Sequence, residues 1–188
     1  MGYTRAELES FRDATIPDLV DDDVRLLFVG INPGLWTAAT GTPFARPGNR
    51  FWPALVRAGI LPRLPAFTGP LSADDRRMIL AAGVGVTNLV ARATARADEL
   101  HRDELRAGAA SLAERVAERR PRAVAVVGLT AYRQGFDRPK AVAGRQDESI
   151  ATVPTWVLPN PSGLNAHDTV ESLARAYADP ARYSGIVD

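Results

Sequence analysis

Short runs of apolar residues alternate with amphipathic stretches along most of this chain. Four of the apolar runs are predicted to be buried strands, and they cover residues 24–29, 84–89, 123–128 and 155–158. A helix is expected over about residues 102–119, where apolar residues recur at helical spacing at Leu105, Ala109, Leu112 and Val116. Strands that are apolar throughout are typical of parallel sheets covered by helices on both faces. The pattern therefore predicts an α/β protein, a three-layer α/β/α sandwich with a central, mostly parallel sheet.

Polar and turn-forming residues predict where the helices begin. The expected starting residues are Ser72 for a helix over about 73–82, Asn49 or Trp52 for a helix that continues to about residue 58, and Asp168, with Glu171 three positions later, for the C-terminal helix. Residues 31–49 are rich in Gly, Thr and Pro and are expected to form a long loop. Loops of this length inside a domain usually serve a function or are disordered.

Length and composition indicate an ordinary soluble domain. The chain has 188 residues, 46% hydrophobic and 24% charged, which fits one domain with a sizeable core. No linker or repeat divides it, so we expect a single domain with an N-terminal extension over residues 1–23 and a core over about 24–178. No apolar run is long enough to span a membrane, and the N-terminus lacks the apolar core of a secretory signal. A cytoplasmic protein without a membrane partner is expected.

The residue types present exclude several kinds of chemistry. Cysteine is absent, which excludes disulfides, Cys-ligated zinc and iron–sulfur clusters. The two histidines, His101 and His167, are not at ligand spacing, so no metal site is expected. Neither a Gly-x-Gly-x-x-Gly fingerprint nor a P-loop is present. The net charge of +1 neither requires nor excludes nucleic acid as a partner.

Two Asn-Pro turns, each directly after an apolar strand, are the strongest candidates for a functional site. The first is Gly30-Ile31-Asn32-Pro33-Gly34, and the second is Asn160-Pro161-Ser162-Gly163-Leu164. In open parallel α/β sheets, ligands bind beyond the carboxyl ends of the strands. Two polar turns at strand ends are therefore expected to meet at one site.

Asn32 is the candidate with the clearest chemistry. A side-chain amide has no useful basicity, but its oxygen can accept a hydrogen bond from a water and hold that water in line for attack. The alternative is that Asn32 only satisfies the turn, since Asn is common in turns for backbone reasons.

An aromatic side chain and an apolar side chain near these turns also have two interpretations. Phe44 lies among turn-forming residues and could stack on a planar ligand, whereas Phe51 and Trp52 are expected in the core. Leu164 could insert as a wedge into a stack of bases, or it could fold inward against the core.

Four segments carry a resemblance to a known family. They cover residues 30–35 (GINPGL), 41–45 (GTPFA), 49–52 (NRFW) and 158–164 (LPNPSGL). Together they resemble the mismatch-specific uracil-DNA glycosylases, the family of bacterial Mug and eukaryotic thymine-DNA glycosylase. The likeness runs from about residue 24 to residue 178 in the expected order.

The resemblance implies a monofunctional DNA repair enzyme with a uracil-DNA glycosylase-like fold. Such an enzyme flips uracil out of a G·U mismatch and hydrolyses its N-glycosidic bond, and some members act on G·T or etheno-cytosine pairs. It needs no cofactor, its partner is double-stranded DNA that contains the mismatch, and a monomer is expected.

The resemblance also implies a role for each matching residue. Asn32 corresponds to the catalytic residue that orients the attacking water, and Phe44 to the aromatic that stacks on the flipped base. The other implied residues are Ile31, Ala45 and Asn88 for substrate binding, Gly163, Leu164 and Asn165 for the DNA wedge, and Ser162 and His167 as further DNA contacts.

Two departures from the family pattern affect the site. Asn88 stands where some bacterial relatives carry Lys, although the eukaryotic branch is similar to this chain there. After the wedge, this chain has Asn165-Ala166-His167 where bacterial Mug has Ser-Arg, so His167 would have to replace the Arg in part. Two other functions stay open, a non-catalytic protein that binds mismatches or abasic sites and a nucleotide-binding α/β module without a DNA role.

Overall fold

A five-stranded sheet forms the centre of the computed structural model, which describes residues 2–66, 69–163, 165 and 167–188. The strands are β1 (Leu26–Gly30), β2 (Val84–Asn88), β3 (Ala123–Val127), β4 (Gly144–Arg145) and β5 (Thr155–Leu158). The helices are α1 (Arg5–Glu9), α2 (Leu35–Thr40), α3 (Phe51–Arg57), α4 (Ala73–Ala81), α5 (Arg102–Arg119), α6 (Leu129–Gly135) and α7 (Val170–Tyr183), and a 3₁₀ turn covers Ala97–Glu99.

The order of the strands brings the two Asn-Pro turns to the same edge of the sheet. The order is β2-β1-β3-β5-β4, and only the short strand β4 is antiparallel to its neighbour. Val29 pairs with Val126, and Val127 pairs with Leu158, so the carboxyl ends of β1, β3 and β5 lie level. The predicted mostly parallel sheet is confirmed, and both turns leave it at that edge.

Helices cover both faces of the sheet. Along β1, Leu26 and Phe28 belong to the hydrophobic cluster that contains α3, α4 and α7, while Leu27 and Val29 belong to the cluster that contains α5 and α6. The predicted face of α5 is buried at all four positions, Leu105, Ala109, Leu112 and Val116. The three-layer α/β/α sandwich is therefore confirmed.

The expected loop over residues 31–49 contains a helix that the sequence did not reveal. Helix α2 has only six residues, which is too short for a helical period to stand out. It begins after Gly34, whose backbone is extended, and ends at Gly41, whose φ of 66° lies in the left-handed region where glycine is unstrained. The expectation of one long loop was wrong for these residues.

Two of the expected helix starts also differ. The N-cap of α3 is Arg50 rather than Asn49 or Trp52, although the Asn49 Oδ1 accepts a hydrogen bond from the Phe51 N–H at 2.9 Å. Helix α7 begins after the cap Thr169, whose Oγ1 accepts from the Ser172 N–H at 3.1 Å and whose own N–H donates to the Ser172 Oγ at 2.9 Å. Asp168 is therefore not the cap, and its carboxylate instead accepts hydrogen bonds from the Asn165 amide and the Ser172 hydroxyl. Ser72 caps α4 as predicted.

The N-terminal segment takes part in the core of the fold. Leu19 pairs with Val86 through two backbone hydrogen bonds of 2.9 and 2.8 Å and is 1% exposed. Helix α1 lies against α2 through an edge-to-face contact between Tyr3 and Trp36. Over the part of the chain that the structure describes, no helix is long and apolar enough to cross a membrane.

The approach of α5 to the sheet predicts an unusual effect of a glycine substitution. A Cβ on Gly108 would lie 2.3 Å from the carbonyl oxygen of Leu89, whose own N–H is bonded to Gly30 at 2.8 Å. We expect Gly108→Ala to lower the free energy of unfolding by about 1–3 kcal/mol through overpacking. A Gly-to-Ala change inside a helix without such a contact gains about 1 kcal/mol.

Urea unfolding measures this effect, and Ala110→Gly on the exposed face of α5 is the matched control. The control is expected to lose about 1 kcal/mol through helix propensity alone. A Gly108→Ala variant as stable as the wild type, or more stable, would show that the contact between α5 and Leu89 is not a close one.

Candidate active site

A cavity of about 150 Å³ opens at the carboxyl edge of the sheet, where the two turns meet. Its lining includes Ile31 and Asn32 after β1, Asn88 at the end of β2, Val127 at the end of β3, Asn160 after β5, and Phe44. A protein cavity of about this volume accommodates a benzene-sized ring. The two Asn-Pro turns therefore meet at one cavity, as their positions after the strands predicted, and the cavity is large enough for one planar ring.

The side-chain amide of Asn32 is held by two hydrogen bonds. Its Nδ2 donates to the carbonyl oxygen of Arg92 at 2.9 Å and to the Oγ1 of Thr94 at 2.8 Å. The structure contains no donor to the Asn32 Oδ1 among the residues it describes. Both N–H groups are therefore occupied, and the oxygen remains as an acceptor at the cavity.

Thr94 fixes which way the amide of Asn32 points. The Thr94 hydroxyl donates to the carbonyl oxygen of Arg96 at 2.8 Å, so it can only accept from Asn32. The Arg92 carbonyl can also only accept. A flipped amide would place its oxygen against two acceptors, so the Asn32 Oδ1 must face away from both.

The chain segment that holds Asn32 is itself fixed to neighbouring elements. Arg92 forms a two-bond ion pair with Glu104 of α5, at 2.5 and 3.0 Å, and a further pair with Asp13 at 3.1 Å. The Thr94 N–H donates to the carbonyl oxygen of Pro33 at 3.1 Å. The carbonyl and hydroxyl that orient Asn32 are therefore positioned from both ends of the segment.

Phe44 lines the same cavity as Asn32 and has an unusual backbone conformation. Its φ of 57° is uncommon for a residue other than glycine, and such conformations persist only where the surroundings enforce them. Its ring stacks on Phe51 with centroids 4.0 Å apart and an interplanar angle of 22°. Phe51 is fully buried, as is Trp52, whose indole N–H donates to the Pro43 carbonyl at 2.8 Å. The core therefore holds one face of the Phe44 ring, and the ring lines the cavity.

Asn88 presents a second amide to the cavity. A Cβ on Gly30 would lie 2.6 Å from the Asn88 Oδ1 and 3.3 Å from the Phe44 ring, so only glycine lets the two side chains approach the end of β1 so closely. The backbone carbonyl of Asn88 accepts from Arg115 at 3.0 Å. Asn88 is thus anchored through its main chain, while its amide lines the cavity.

The remaining two residues predicted to bind the substrate, Ile31 and Ala45, differ in their relation to the cavity. Ile31 lines the cavity, and its carbonyl oxygen accepts from the Val90 N–H at 2.9 Å. Ala45 is buried and does not belong to the described lining of the cavity, which its neighbours Phe44 and Arg46 contribute to.

The second turn is organised by Arg50, which sequence reasoning assigned no role. The Arg50 guanidinium donates to the carbonyl oxygens of Ser162 at 2.7 Å and Asn165 at 2.5 Å, and also to that of Asp168. One partly buried cation therefore binds three carbonyl groups of the same loop. The NRFW segment contained the residue, but only its contacts reveal what it holds.

The polar side chains Asn160 and Asn165 of the second turn form hydrogen bonds within the loop. The Asn160 Oδ1 accepts from the Ser162 N–H at 2.9 Å, a turn-closing bond that makes Asn160 structural. The Asn165 amide donates to the Asn160 carbonyl at 3.0 Å and to Asp168 at 2.8 Å, and the Asn165 N–H donates to the Ser162 carbonyl at 2.9 Å. Asn165 is therefore fully engaged inside the loop.

Two of the residues predicted to contact DNA from this loop, Gly163 and His167, are exposed. A Cβ on Gly163 would lie 2.9 Å from the carbonyl oxygen of Gly48. The His167 N–H donates to the Asn165 Oδ1 at 3.1 Å. The expected wedge residue Leu164 lies outside the described residues, as does Ala166.

The charged groups around the cavity are all cationic over the described part of its lining. Arg46 and Arg96 lie there, without a carboxylate. No group of three His, Asp or Glu side chains suited to a metal ion occurs among the residues that the structure describes. The chemistry that this lining supplies is hydrogen bonding from amides, hydroxyls and main-chain groups.

The fold and the site together define an α/β protein with a ring-sized cavity at the carboxyl edge of its sheet. A model of the uracil DNA glycosylase superfamily matches residues 17–180, and because this match covers most of the chain, the chain belongs to that superfamily. Membership supports a role as a DNA glycosylase that acts on uracil, with DNA as the partner.

The fold is also shared with a solved structure. A protein from Methanosarcina acetivorans, named as a candidate uracil DNA glycosylase and solved by NMR in solution, is similar to this chain with a TM-score of 0.61. The similarity covers 90% of this chain and 96% of that chain, at 16% sequence identity. At this identity the likeness shows a common fold.

The ion pair between Arg92 and Glu104 is expected to make the stability of the protein depend on pH. The hydrogen bonds from Arg92, followed by that from the His101 N–H, lower the pKa of Glu104 from 4.5 to about 2. A lowered carboxyl pKa stabilises the folded state above pH 4.5, and this contribution is lost as the pH falls toward 2. We expect Glu104→Gln to have a lower Tm than the wild type at pH 7, with a difference that shrinks between pH 4.5 and 2.

Thermal unfolding at a series of pH values tests this expectation. Glu114→Gln is the matched control, because Glu114 is exposed on the same helix and has no ion-pair partner within the described ranges. A difference between Glu104→Gln and the wild type that stays constant down to pH 2 would contradict the role of the Arg92–Glu104 pair.

Proposed function

We propose that this chain is a monofunctional DNA glycosylase that excises uracil from G·U mismatches and leaves an abasic site. The observation that carries the proposal is the amide of Asn32, which lines a ring-sized cavity and whose two N–H groups are held by Arg92 and Thr94, so that its oxygen is left as the acceptor. An acceptor with a fixed direction is what positions a water for attack.

The proposed reaction is a hydrolysis at the anomeric carbon of the deoxyribose. The Asn32 Oδ1 accepts a hydrogen bond from water, whose oxygen forms the new bond to C1′ as the bond from C1′ to the base nitrogen breaks. The electron pair of the broken bond leaves with the base, which takes up the proton that the water loses. The sugar passes through an oxocarbenium-like state, as in glycoside hydrolysis.

Under this mechanism we expect modest rather than fast turnover. Glycosidases use a carboxylate pair, with one carboxylate activating water or attacking directly. Asn32 is neutral and can only orient the water, and the described cavity lining offers no carboxylate in its place. Positioning and electrostatic stabilisation supply the rate enhancement.

Recognition of the base is assigned to groups around the cavity. Phe44 stacks on the flipped ring, and the Asn88 amide together with main-chain groups of Ile31 and Ala45 bonds to its polar edge. Extrusion from the duplex costs a few kcal/mol and least for a mismatched base, which favours uracil opposite guanine. Gly163 and Leu164 would fill the vacated space in the stack, with Ser162 and His167 as further contacts to DNA.

Replacement of Asn32 tests the catalytic part of the proposal. We expect Asn32→Ala to release uracil from a G·U duplex about 10²–10³-fold more slowly than the wild type in single turnover, a loss comparable to that of one preorganised hydrogen-bonding group. Equal rates for the two proteins would remove Asn32 from the reaction.

Two control substrates accompany this assay. An A·U duplex should react more slowly than G·U, because its stronger pair costs more to open. If the wild type binds G·U and abasic duplexes but releases no base over long incubation, the chain is a non-catalytic binding protein instead.

Replacement of Phe44 tests the stacking role. Stacking of one base on an aromatic ring contributes about 1–3 kcal/mol, so Phe44→Ala should raise the KM for a G·U duplex roughly 10–100-fold. Phe44→Tyr keeps the ring and is the matched control, with an expected KM near that of the wild type. Equal KM values for Phe44→Ala and Phe44→Tyr would show that the ring does not hold the base.

A further inference from the structure

A groove of about 270 Å³ runs beside the active cavity, between helices α1 and α2. It shares Gly34, Arg46 and Ala95 with the lining of the cavity, so the two sites are continuous. Trp36 and Arg5 lie in the part of the groove that the cavity does not share. The groove therefore adjoins the cavity at these three residues.

Trp36 gives the groove an aromatic wall. Tyr3 contacts its ring edge to face, with centroids 5.2 Å apart, and the Tyr3 hydroxyl donates to the Ala39 carbonyl at 3.3 Å. Trp36 is only partly buried, whereas Trp52 and Trp156 are 1% and 2% exposed. Among the three tryptophans of the chain, Trp36 is the one that a ligand can reach.

The groove also carries uncompensated positive charge. Its one acidic residue, Glu9, is paired with Arg12 at 2.9 Å. Arg5 and Arg46 are exposed and have no acidic partner in the part of the chain that the structure describes. An aromatic ring flanked by free cations is the combination that binds single-stranded nucleic acid, through stacking and phosphate contacts.

We propose that this groove binds the nucleotide next to the flipped uracil, on the same strand. The phosphate between the two nucleotides lies at Arg46, where cavity and groove meet, Arg5 contacts the next phosphate, and the neighbouring base packs on Trp36. The proposal rests on the proposed function, because it takes the strand that delivers uracil to the cavity as its ligand. It adds a second recognition site on that strand.

Tryptophan fluorescence of the whole chain tests the stacking contact. The probe is a single-stranded thymidine octamer with one central 2′-fluorinated uracil nucleotide, because the fluorine destabilises the oxocarbenium-like state and the base stays attached. The octamer is expected to quench the wild type and not Trp36→Phe, since the other two tryptophans are buried. Uridine alone reaches only the cavity and is expected to leave the fluorescence unchanged.

Binding of the same octamer at several salt concentrations tests the charges. Arg5→Gln and Arg46→Gln are each expected to weaken binding about 5–10-fold and to lower the salt slope by about 0.7, as for one lost phosphate contact to a single strand. Arg76→Gln is the matched control, because Arg76 is exposed on α4 and lies outside both linings. Affinity and salt slope of this control should equal those of the wild type.

The outcomes separate this proposal from the proposed function. Quenching that is lost in Trp36→Phe supports the groove, even if a cleavable octamer or duplex releases no uracil and the glycosylase proposal fails. Uracil release with no quenching, or equal quenching of wild type and Trp36→Phe, overturns the groove and leaves the glycosylase intact. Quenching by thymidine monophosphate as strong as that by the octamer also overturns it, because the groove would then bind free nucleotides.

Discussion

The site depends on main-chain hydrogen bonds that continue past the ends of two neighbouring strands. After β1 and β2 end, Leu89 and Val90 donate to Gly30 and Ile31, and Thr94 donates to Pro33. These bonds carry the segment after β2 alongside the first Asn-Pro turn. The Arg92 carbonyl and the Thr94 hydroxyl thereby reach the Asn32 amide and fix its direction. Without these main-chain bonds, the Asn32 amide would lose its two partners and its oxygen would no longer have a fixed direction.

An arginine side chain stabilises each of the two turns, but in a different way. Arg92 stabilises the segment that binds the first turn, and Arg50 stabilises the second turn. Arg92 acts through an ion pair with Glu104 that positions a carbonyl, whereas Arg50 collects carbonyls directly. Hydrogen bonds to charged groups are stronger than neutral ones, which suits loops that must keep their shape while a ligand enters.

Much of the fold could be predicted from the sequence because the apolar pattern records which faces are buried. The strands β1, β2, β3 and β5 and the buried face of α5 could be predicted from that pattern. The positions of the two turns after β1 and β5 then predicted that they meet. Helix α2 could not be predicted, since six residues show no period. The roles of Arg50 and Thr94 could not either, because each depends on contacts with residues distant in the chain. Asn165 matched a wedge in the family pattern, yet its polar groups are used within the loop.

A double-mutant cycle on Asn32 and Thr94 tests most directly whether the directed amide holds the attacking water. Single-turnover release of uracil from a G·U duplex is measured for the wild type, Asn32→Ala, Thr94→Val and the double variant. If Thr94 acts only through Asn32, Thr94→Val slows the wild type about 10-fold and has no further effect in the Asn32→Ala background. Equal slowing by Thr94→Val in both backgrounds would contradict this account.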